Sequence, residues 1–243
     1  MSSVFPEEAP TRAPVSRAAV VDAALALLAE GGLEAVSFRR IAKALGVAGP
    51  TLYWHVENKR QLMDLMAEEL LHRARAHTGP AAGQQWWEWL RDDARRMFHA
   101  LIATRDAPRV LAGNRPSPES FPDIERVLEV LVGAGFNAGD AQQALFALGA
   151  YVIGSATEWQ AEADRARTQP LPDPDDAAIN AFRAEVLADQ PLLLAAIDER
   201  LGARDTAAFE FGLDLLVDGL RARSTAPRTA GVSEEPTRGT GPS

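Results

Sequence analysis

The sequence predicts an all-α fold, and three observations lead to that prediction. Leu, Ala, Arg and Glu, which favour helices, are plentiful between the two chain ends. Apolar residues recur at the three- and four-residue spacing of amphipathic helices, and no segment has the alternation of a β-hairpin. With 47% apolar residues, the 243-residue chain can also form a substantial core.

Composition excludes several classes of protein. The absence of Cys rules out disulfides, iron–sulfur clusters, thiolate nucleophiles and Cys-based zinc sites. No run of eighteen apolar residues and no secretory leader pattern are present, so we expect a cytoplasmic protein without a membrane partner. Catalytic motifs are absent, and His72 and His77 lie five residues apart, off a common helical face. We therefore predict no cofactor, no metal site and no enzymatic activity.

The chain divides into two helical domains between two tails. Residues 1–14 and 224–243 are rich in Pro, Ser, Thr, Gly and Glu, and we expect both to be disordered. Residues 15–61 form a small N-terminal domain in this prediction. Residues 62–223 form a larger helical domain, interrupted by a mobile Pro- and Asp-rich loop at about 161–178.

Cap and stop residues define the helices of the N-terminal region. Each predicted helix begins at a residue that can cap or open a first turn, and the first two end at Gly. The four are "RAAVVDAALALLAE" after Ser16, "FRRIAKAL" after Ser37, "PTLYWHV" opened by Pro50, and "KRQLMDLMAEELLHRARAH" after Asn58, with Gln61 completing a capping-box-like start.

The larger domain contains four further predicted helices. They are "WWEWLRDDARRMFHALIAT", "IERVLEVLVGAG" after the loop "NRPSPESFPD", "GDAQQALFALGAYVIGSATEWQ" capped by Asp140, and "TAAFEFGLDLLVDGLRAR". The last two carry more apolar and small residues than a monomer needs to bury, so we predict a homodimer. The candidate interface residues are Ala147, Ala150, Ile153, Leu213, Leu216 and Leu220.

Two short helices joined by a Gly-containing turn, after a longer helix, predict a helix-turn-helix. Residues 15–61 carry six basic and four acidic side chains, although the whole chain has a net charge of −9. Arg39 and Arg40 could bind phosphate or guanine, and Lys59 lies at a helix N-terminus that favours anions. In an alternative interpretation, Tyr53 and Trp54 are core aromatic residues and the basic residues only form a solvated face. The helix-turn-helix context favours DNA binding instead.

The segment "SRAAVVDAALALLAEGGLEAVSFRRIAKALGVAGPTLYWHVENKRQLMDLMAEELL" resembles the DNA-binding domain of the TetR (tetracycline repressor) family, and "PTLYWHVENKRQL" is its most specific part. In the body, "RDAPRVLAGNRP", "LVGAGF" and "GSATEWQ" are similar to the tetracycline-repressor type of C-terminal domain. The resemblance implies a homodimer that binds a near-palindromic operator in double-stranded DNA and is released by a small-molecule effector.

The resemblance also implies which residues contact DNA. Close relatives place a base-reading Gln before the Pro, whereas this chain has Gly49, so we expect a different operator sequence. From the residue types and the resemblance together, the candidate DNA-binding residues are Ser37, Arg39, Arg40, Gly49, Pro50, Thr51, Tyr53, His55 and Lys59.

The implied effector site departs from its relatives. Tetracycline repressors bind a drug–magnesium chelate with a His whose matching position here is Leu111, which cannot bind a hard cation. Most of the other polar residues that bind the drug in the relatives are replaced in this chain. Glu158 is kept at the position where the relatives have a Glu that reaches the metal through water. The candidate effector residues are Arg75, Asp93, Met97, Leu111, Asn114, Val127 and Glu158.

We therefore expect an organic effector other than the magnesium–tetracycline chelate. Three alternatives stay open at this point. These residues could fill a core without binding a ligand, the protein could activate transcription, or it could be a helical enzyme or adaptor without DNA binding.

Overall fold

The computed structural model describes residues 15–74, 79–169, 177–201 and 206–225, and within them it contains helices and no strand. The all-α prediction is confirmed. The α-helices are α1 Arg17–Gly31, α2 Phe38–Leu45, α3 Gly49–Leu52, α4 Lys59–Ala74, α5 Trp86–Ala103, α6 Ala107–Leu111, α7 Phe121–Gly133, α8 Ala138–Thr168, α9 Ala177–Val186, α10 Pro191–Leu201 and α11 Ala207–Thr225. None of these described helices is long and apolar enough to cross a membrane.

The predicted N-terminal caps are present. The Ser16 hydroxyl accepts a hydrogen bond from the Ala19 amide at 3.1 Å, and the Ser37 hydroxyl accepts one from Arg40 at 3.3 Å. The Asn58 side chain accepts from the Gln61 amide, while the Gln61 side chain accepts from the Glu57 amide instead of closing a true capping box. Each cap satisfies a backbone N–H that a helix start would otherwise leave unpaired.

The helix-turn-helix packs its apolar face inward. Gly46 ends α2 in the left-handed conformation, with φ 64° and ψ 39°, which glycine adopts without steric cost. Ile41 of α2 and Leu52 of α3 are completely buried, and so is Val56 beyond them. Helix α2 packs against α1, and α3 packs against α2.

Helix α3, the second helix of the helix-turn-helix, is shorter than predicted. We expected a helix over "PTLYWHV", but α3 ends at Leu52 and residues 53–55 form a turn. The amides of Thr51, Tyr53 and His55 bond to carbonyls three residues earlier, at Ala48, Pro50 and Leu52. This tighter pattern is typical of a 3₁₀ turn, so Thr51 and His55 do not share a regular α-helical face.

The larger domain is built around α5, α8 and α11, which pack against one another. Phe98 of α5 stacks on Phe209 of α11 with ring centroids 3.8 Å apart and the planes 8° from parallel. Beside this stack, Arg95 donates to both carboxylate oxygens of Glu210. An aromatic stack and an ion pair therefore hold α11 against α5.

Helix α8 differs from the prediction at both ends. Its N-cap is Asn137, whose side chain accepts from the Asp140 amide at 2.8 Å, so Asp140 lies in the first turn and is not the cap. Phe136, directly before the cap, is buried and anchors the chain as it enters the helix. At the other end, α8 continues to Thr168, so residues 161–168 do not belong to the predicted mobile loop.

The N-terminal and larger domains meet at Asp106, between α5 and α6. Asp106 has φ 58°, and its carboxylate accepts a hydrogen bond from the Leu33 amide at 2.8 Å. Its own amide donates to the Gln160 side chain on α8, which also donates to the carbonyls of Leu101 and Thr104. Asp106 therefore connects the turn after α1 to α8.

Candidate nucleic-acid interface and effector cavity

Three basic side chains project from α2 into solvent: Arg39, Arg40 and Lys43. None of the three side chains has an ion-pair or hydrogen-bond partner among the residues that the structure describes. Their charges are therefore available to a polyanion without the loss of an internal salt bridge. Elsewhere, many exposed Arg side chains are paired, as in Arg73 with Asp22 at 2.5 Å.

Two aromatic side chains are exposed beside these cations. Tyr53 is 57% exposed and Trp54 is 87% exposed. The alternative that made both residues core aromatics is wrong for this structure. The Tyr53 ring stacks on Phe38 of α2, with ring centroids 5.1 Å apart and an interplanar angle of 12°, so its position is fixed relative to the basic helix.

Four of the nine predicted DNA-binding residues line one open concave surface of about 850 Å³ between α2 and α3. Arg39, Gly49, Pro50 and Tyr53 line it, and Arg40 lies on an adjoining surface together with Arg39. Sequence reasoning did not include Lys43 and Trp54 among the DNA-binding residues, although both line the concave surface. Lys43 follows Arg39 by four residues, and that helical spacing was the available signal.

The remaining predicted residues lie nearby in different environments. Thr51 and His55 are half-buried, and Lys59 is exposed at the first position of α4. The Ser37 hydroxyl accepts the capping bond from the Arg40 amide, and it keeps its O–H as a donor. A Cβ atom built on Gly49 would meet nothing within 4 Å, which leaves space for a side chain there.

A second concave feature is a cavity of about 590 Å³ between α1, α4, α7 and α8. Leu65 of α4, Leu128 of α7 and Leu145 of α8 contribute apolar walls, and α1 contributes Val21. Its volume is in the range of small-molecule sites. We refer to it below as the effector cavity.

Only part of the predicted effector set lies in this cavity. Asn114 and Val127 line it. Met97 and Leu111 are instead buried in the core, and Asp93 is a buried carboxylate paired with Arg96 at 3.2 Å. The sequence could not show that α5 and α6 turn these three side chains into the core and away from the cavity.

Glu158, a further member of that set, also lies outside the cavity. Glu158 is exposed on α8, and Arg75 lies outside the described residues. Within the described residues, no group of three His, Cys, Asp or Glu side chains converges as a metal site requires.

The predicted dimer residues have unequal exposure. Ala147 and Ala150 are exposed on α8, whereas Ile153, Leu216 and Leu220 are half-buried. Leu213 is completely buried in the core of its own chain, so the inclusion of Leu213 in an exposed dimer surface is wrong. Phe211 and Leu215 are instead the large exposed apolar residues of α11, at 69% and 61% exposure.

Comparison with known proteins assigns both halves of the chain. Residues 20–66 match the family described as bacterial regulatory proteins, tetR family, and residues 79–224 match the tetracyclin repressor-like C-terminal domain. Tetracycline repressor protein class A from transposon 1721 of Escherichia coli is 39% identical over 209 residues, which cover 86% of this chain and 92% of that protein.

Solved structures have the same fold. TetR(class A) in complex with 5a,6-anhydrotetracycline and magnesium is 32% identical with a TM-score of 0.62, covering 84% of this chain and 96% of that one. The Streptomyces coelicolor protein ActR in complex with (S)-DNPA is 25% identical with a TM-score of 0.69, covering 87% and 99%. The relatives are transcriptional repressors and regulators and not enzymes. The chain described here belongs to the TetR family of bacterial transcriptional regulators, with a tetracycline-repressor-like C-terminal domain.

Proposed function

We propose that this protein is a homodimeric repressor that binds a near-palindromic operator through the surface between α2 and α3 and leaves it when a small organic molecule binds. The observation that carries the proposal is the set of exposed cations on α2, which have no partner among the residues that the structure describes. Arg39, Arg40 and Lys43 would neutralise phosphates, and counterion release would supply much of the affinity. Tyr53 and Trp54, on the same side, would pack against the DNA backbone.

Base reading would come from the start of α3. In a helix-turn-helix the N-terminal residues of the second helix approach base edges, and here these are Gly49, Pro50 and Thr51. Glycine offers no side chain to a base, but the space around Gly49 would accept one. We therefore expect Gly49→Gln to fold normally and to change which operator is preferred, since Gln can bind adenine with two hydrogen bonds.

The test of DNA binding is fluorescence anisotropy with DNA from the region flanking the protein's own gene, titrated at several salt concentrations. We expect Arg39→Ala to weaken specific binding by about 1–3 kcal/mol. Lys43→Ala should reduce the slope of the logarithm of the binding constant against the logarithm of the salt concentration by about one. Arg223→Ala, an exposed cation near the end of α11, is the matched control and should have no effect. Equal, weak binding of all sequences by the unmodified protein would overturn the proposal.

Two copies are needed to read two half-sites, which lie about 34–36 Å apart on DNA. The exposed Phe211 and Leu215 of α11, with Ala147 and Ala150 of α8, would form the contact between copies. Burial of such residues is the main driving force for association. We expect light scattering to give a dimer, and Phe211→Asp together with Leu215→Asp to give monomers. A monomeric unmodified protein would contradict the operator proposal.

The effector is proposed to occupy the effector cavity and to differ from a magnesium–tetracycline chelate. At the position of the relatives' metal-binding His stands Leu111, which is apolar and only 2% exposed. Calorimetry with tetracycline should therefore show no dependence on magnesium. Tight binding that requires magnesium would refute this part of the proposal and would leave the DNA-binding part intact.

A further inference from the structure

We infer that the effector cavity is built for an amphipathic organic cation, a molecule with an apolar ring system and a permanent or protonated positive charge. This inference rests on the proposed effector function and adds the chemical class of the ligand. Three features of the cavity carry it: an apolar interior, a large excess of carboxylates in the wall, and an exposed aromatic ring.

The apolar part of the cavity comes from three different helices. Leu65 of α4, Val127 of α7 and Leu145 of α8 present aliphatic side chains to the same space. Phe146, the next residue of α8, also lines the cavity and is 75% exposed. A ligand with ring systems would bury this surface, and hydrophobic burial supplies most of the affinity at such sites.

The charged part of the wall carries more acidic than basic side chains. Five carboxylates line the cavity, whereas its basic side chains are one Arg and one His. The carboxylates are Asp22, Glu68, Glu69, Glu119 and Asp123, and the basic residues are Arg17 and His72. An anionic ligand would be repelled here, and a neutral one would leave the negative potential uncompensated.

Glu68 is the carboxylate best placed to bind a cation. It is half-buried, and it accepts hydrogen bonds from the Ser117 amide, the Ser117 hydroxyl at 3.0 Å and the Ser120 hydroxyl at 2.8 Å. These neutral donors fix the carboxylate without cancelling its charge. No Arg, Lys or His in the described part of the chain pairs with it.

The other four carboxylates already have cationic partners. Asp22 and Glu69 both pair with Arg73, at 2.5 and 2.7 Å, and Asp123 pairs with Arg126 at 2.9 Å. Glu119 lies 3.9 Å from Arg17. Glu68 therefore holds the negative charge of the wall that a ligand would neutralise, and the nearby Phe146 ring can also attract a cation.

The cavity also explains how such a ligand would be sensed. Helix α1 of the DNA-binding domain forms one wall with Arg17, Val21 and Asp22, and the opposite wall belongs to α7 and α8. The Arg17–Glu119 contact joins the two domains at this cavity. A bound cation would compete with Arg17 for Glu119, so occupancy would change the contact between the two domains directly.

The test uses two probes of nearly equal shape and opposite charge, tetraphenylphosphonium and tetraphenylborate, titrated calorimetrically into the full chain without DNA. We expect tetraphenylphosphonium to bind at least tenfold more tightly than tetraphenylborate. Glu68→Gln should weaken tetraphenylphosphonium about three- to tenfold and Val127→Trp, which fills the cavity, should abolish its binding. Glu129→Gln, an exposed carboxylate on the same helix as Val127 but outside the cavity, is the matched control and should change nothing.

Tighter or equal binding of tetraphenylborate would overturn the inference, as would failure of both probes to bind. An equal loss in Glu68→Gln and Glu129→Gln would also overturn it, because the preference would then reflect the overall acidity of the chain. Operator binding is measured separately and without either probe. A wrong ligand class therefore leaves the DNA result intact, whereas a failure of the proposed function appears in the DNA titration itself.

Discussion

Replacement of Asp106 should separate the energetic contributions at the contact between the two domains. The Asp106 carboxylate accepts from the Leu33 amide at 2.8 Å and pairs with Arg109 at 3.1 Å. A hydrogen bond to a charged group contributes about 1.5–3 kcal/mol to the free energy of unfolding. Arg109 is 63% exposed, so its pair with Asp106 adds at most about 1 kcal/mol.

The backbone adds a second cost. Asp106 has φ 58°, a conformation that Asn and Asp tolerate but that costs other L-residues about 1–2 kcal/mol. Asp106→Ala loses the interactions of the carboxylate and also the tolerance of the positive φ, and it should destabilise the protein by about 3–4 kcal/mol. Asp106→Asn keeps the backbone tolerance and an oxygen that can accept from Leu33, so its loss should be about 1 kcal/mol.

The contribution of Asp106 to the free energy of unfolding should depend on pH. Burial raises the pKa of Asp106, but the Leu33 hydrogen bond and the charges of Arg109 and Arg105 outweigh it, so the pKa is lowered overall. A lowered folded-state pKa gives stability that is present above the unfolded pKa of about 4 and is lost as the pH falls through the folded pKa. The difference between the unmodified protein and Asp106→Asn should therefore shrink in acid.

Urea denaturation at neutral and acidic pH measures both effects. Asp189→Ala, at an exposed carboxylate between α9 and α10, serves as the control and should stay within about 0.5 kcal/mol. If Asp106→Ala were as stable as the control, the contact would contribute nothing. If Asp106→Asn lowered the free energy of unfolding as much as Asp106→Ala does, the proposed cost of the positive φ for Ala would be wrong.

Five further substitutions at four positions test the local geometry by the same denaturation assay. Gly32→Ala should cost about 1–2 kcal/mol or more, because Gly32 has φ 68° and a Cβ would lie 2.5 Å from the Asp106 carboxylate; an unchanged midpoint would contradict this reading. Ser37→Ala should cost about 1 kcal/mol by removing the α2 cap, and Ser37→Thr should restore most of it. Asn137→Ala should cost about 1 kcal/mol while Asp140→Ala costs clearly less, and the reverse order would make Asp140 the cap of α8 after all.

Local signals in the sequence were sufficient for the starts of α1 and α2 but not for the length of α3. Ser16 and Ser37 cap their helices because the cap depends only on the hydroxyl and an amide three residues later. The prediction that Asp140 caps α8 was wrong, because Asn137, three residues earlier, can cap by the same rule and does so. Burial of Phe136 in the tertiary structure decides between them.

The cavity depended on tertiary packing and could not be read from the sequence. Resemblance to tetracycline repressors pointed to Met97 and Leu111, yet α5 and α6 bury both in the core. The cavity instead lies against α1, which no pattern in the larger domain could reveal. Helices α9 and α10 also escaped prediction, because their apolar residues such as Phe182 and Leu192 are exposed and follow no buried stripe.

The exposed cations of α2 belong to a chain whose net charge is −9, and this contrast affects the encounter with DNA. The acidic body is repelled by the phosphate backbone, whereas the small basic surface is attracted to it. Collisions in the wrong orientation are therefore rejected at long range, before any base is contacted. The acidity of the rest of the chain would thus favour encounters in which the basic surface faces the DNA. Rising salt would weaken both this preference and the attraction between the basic surface and the phosphates.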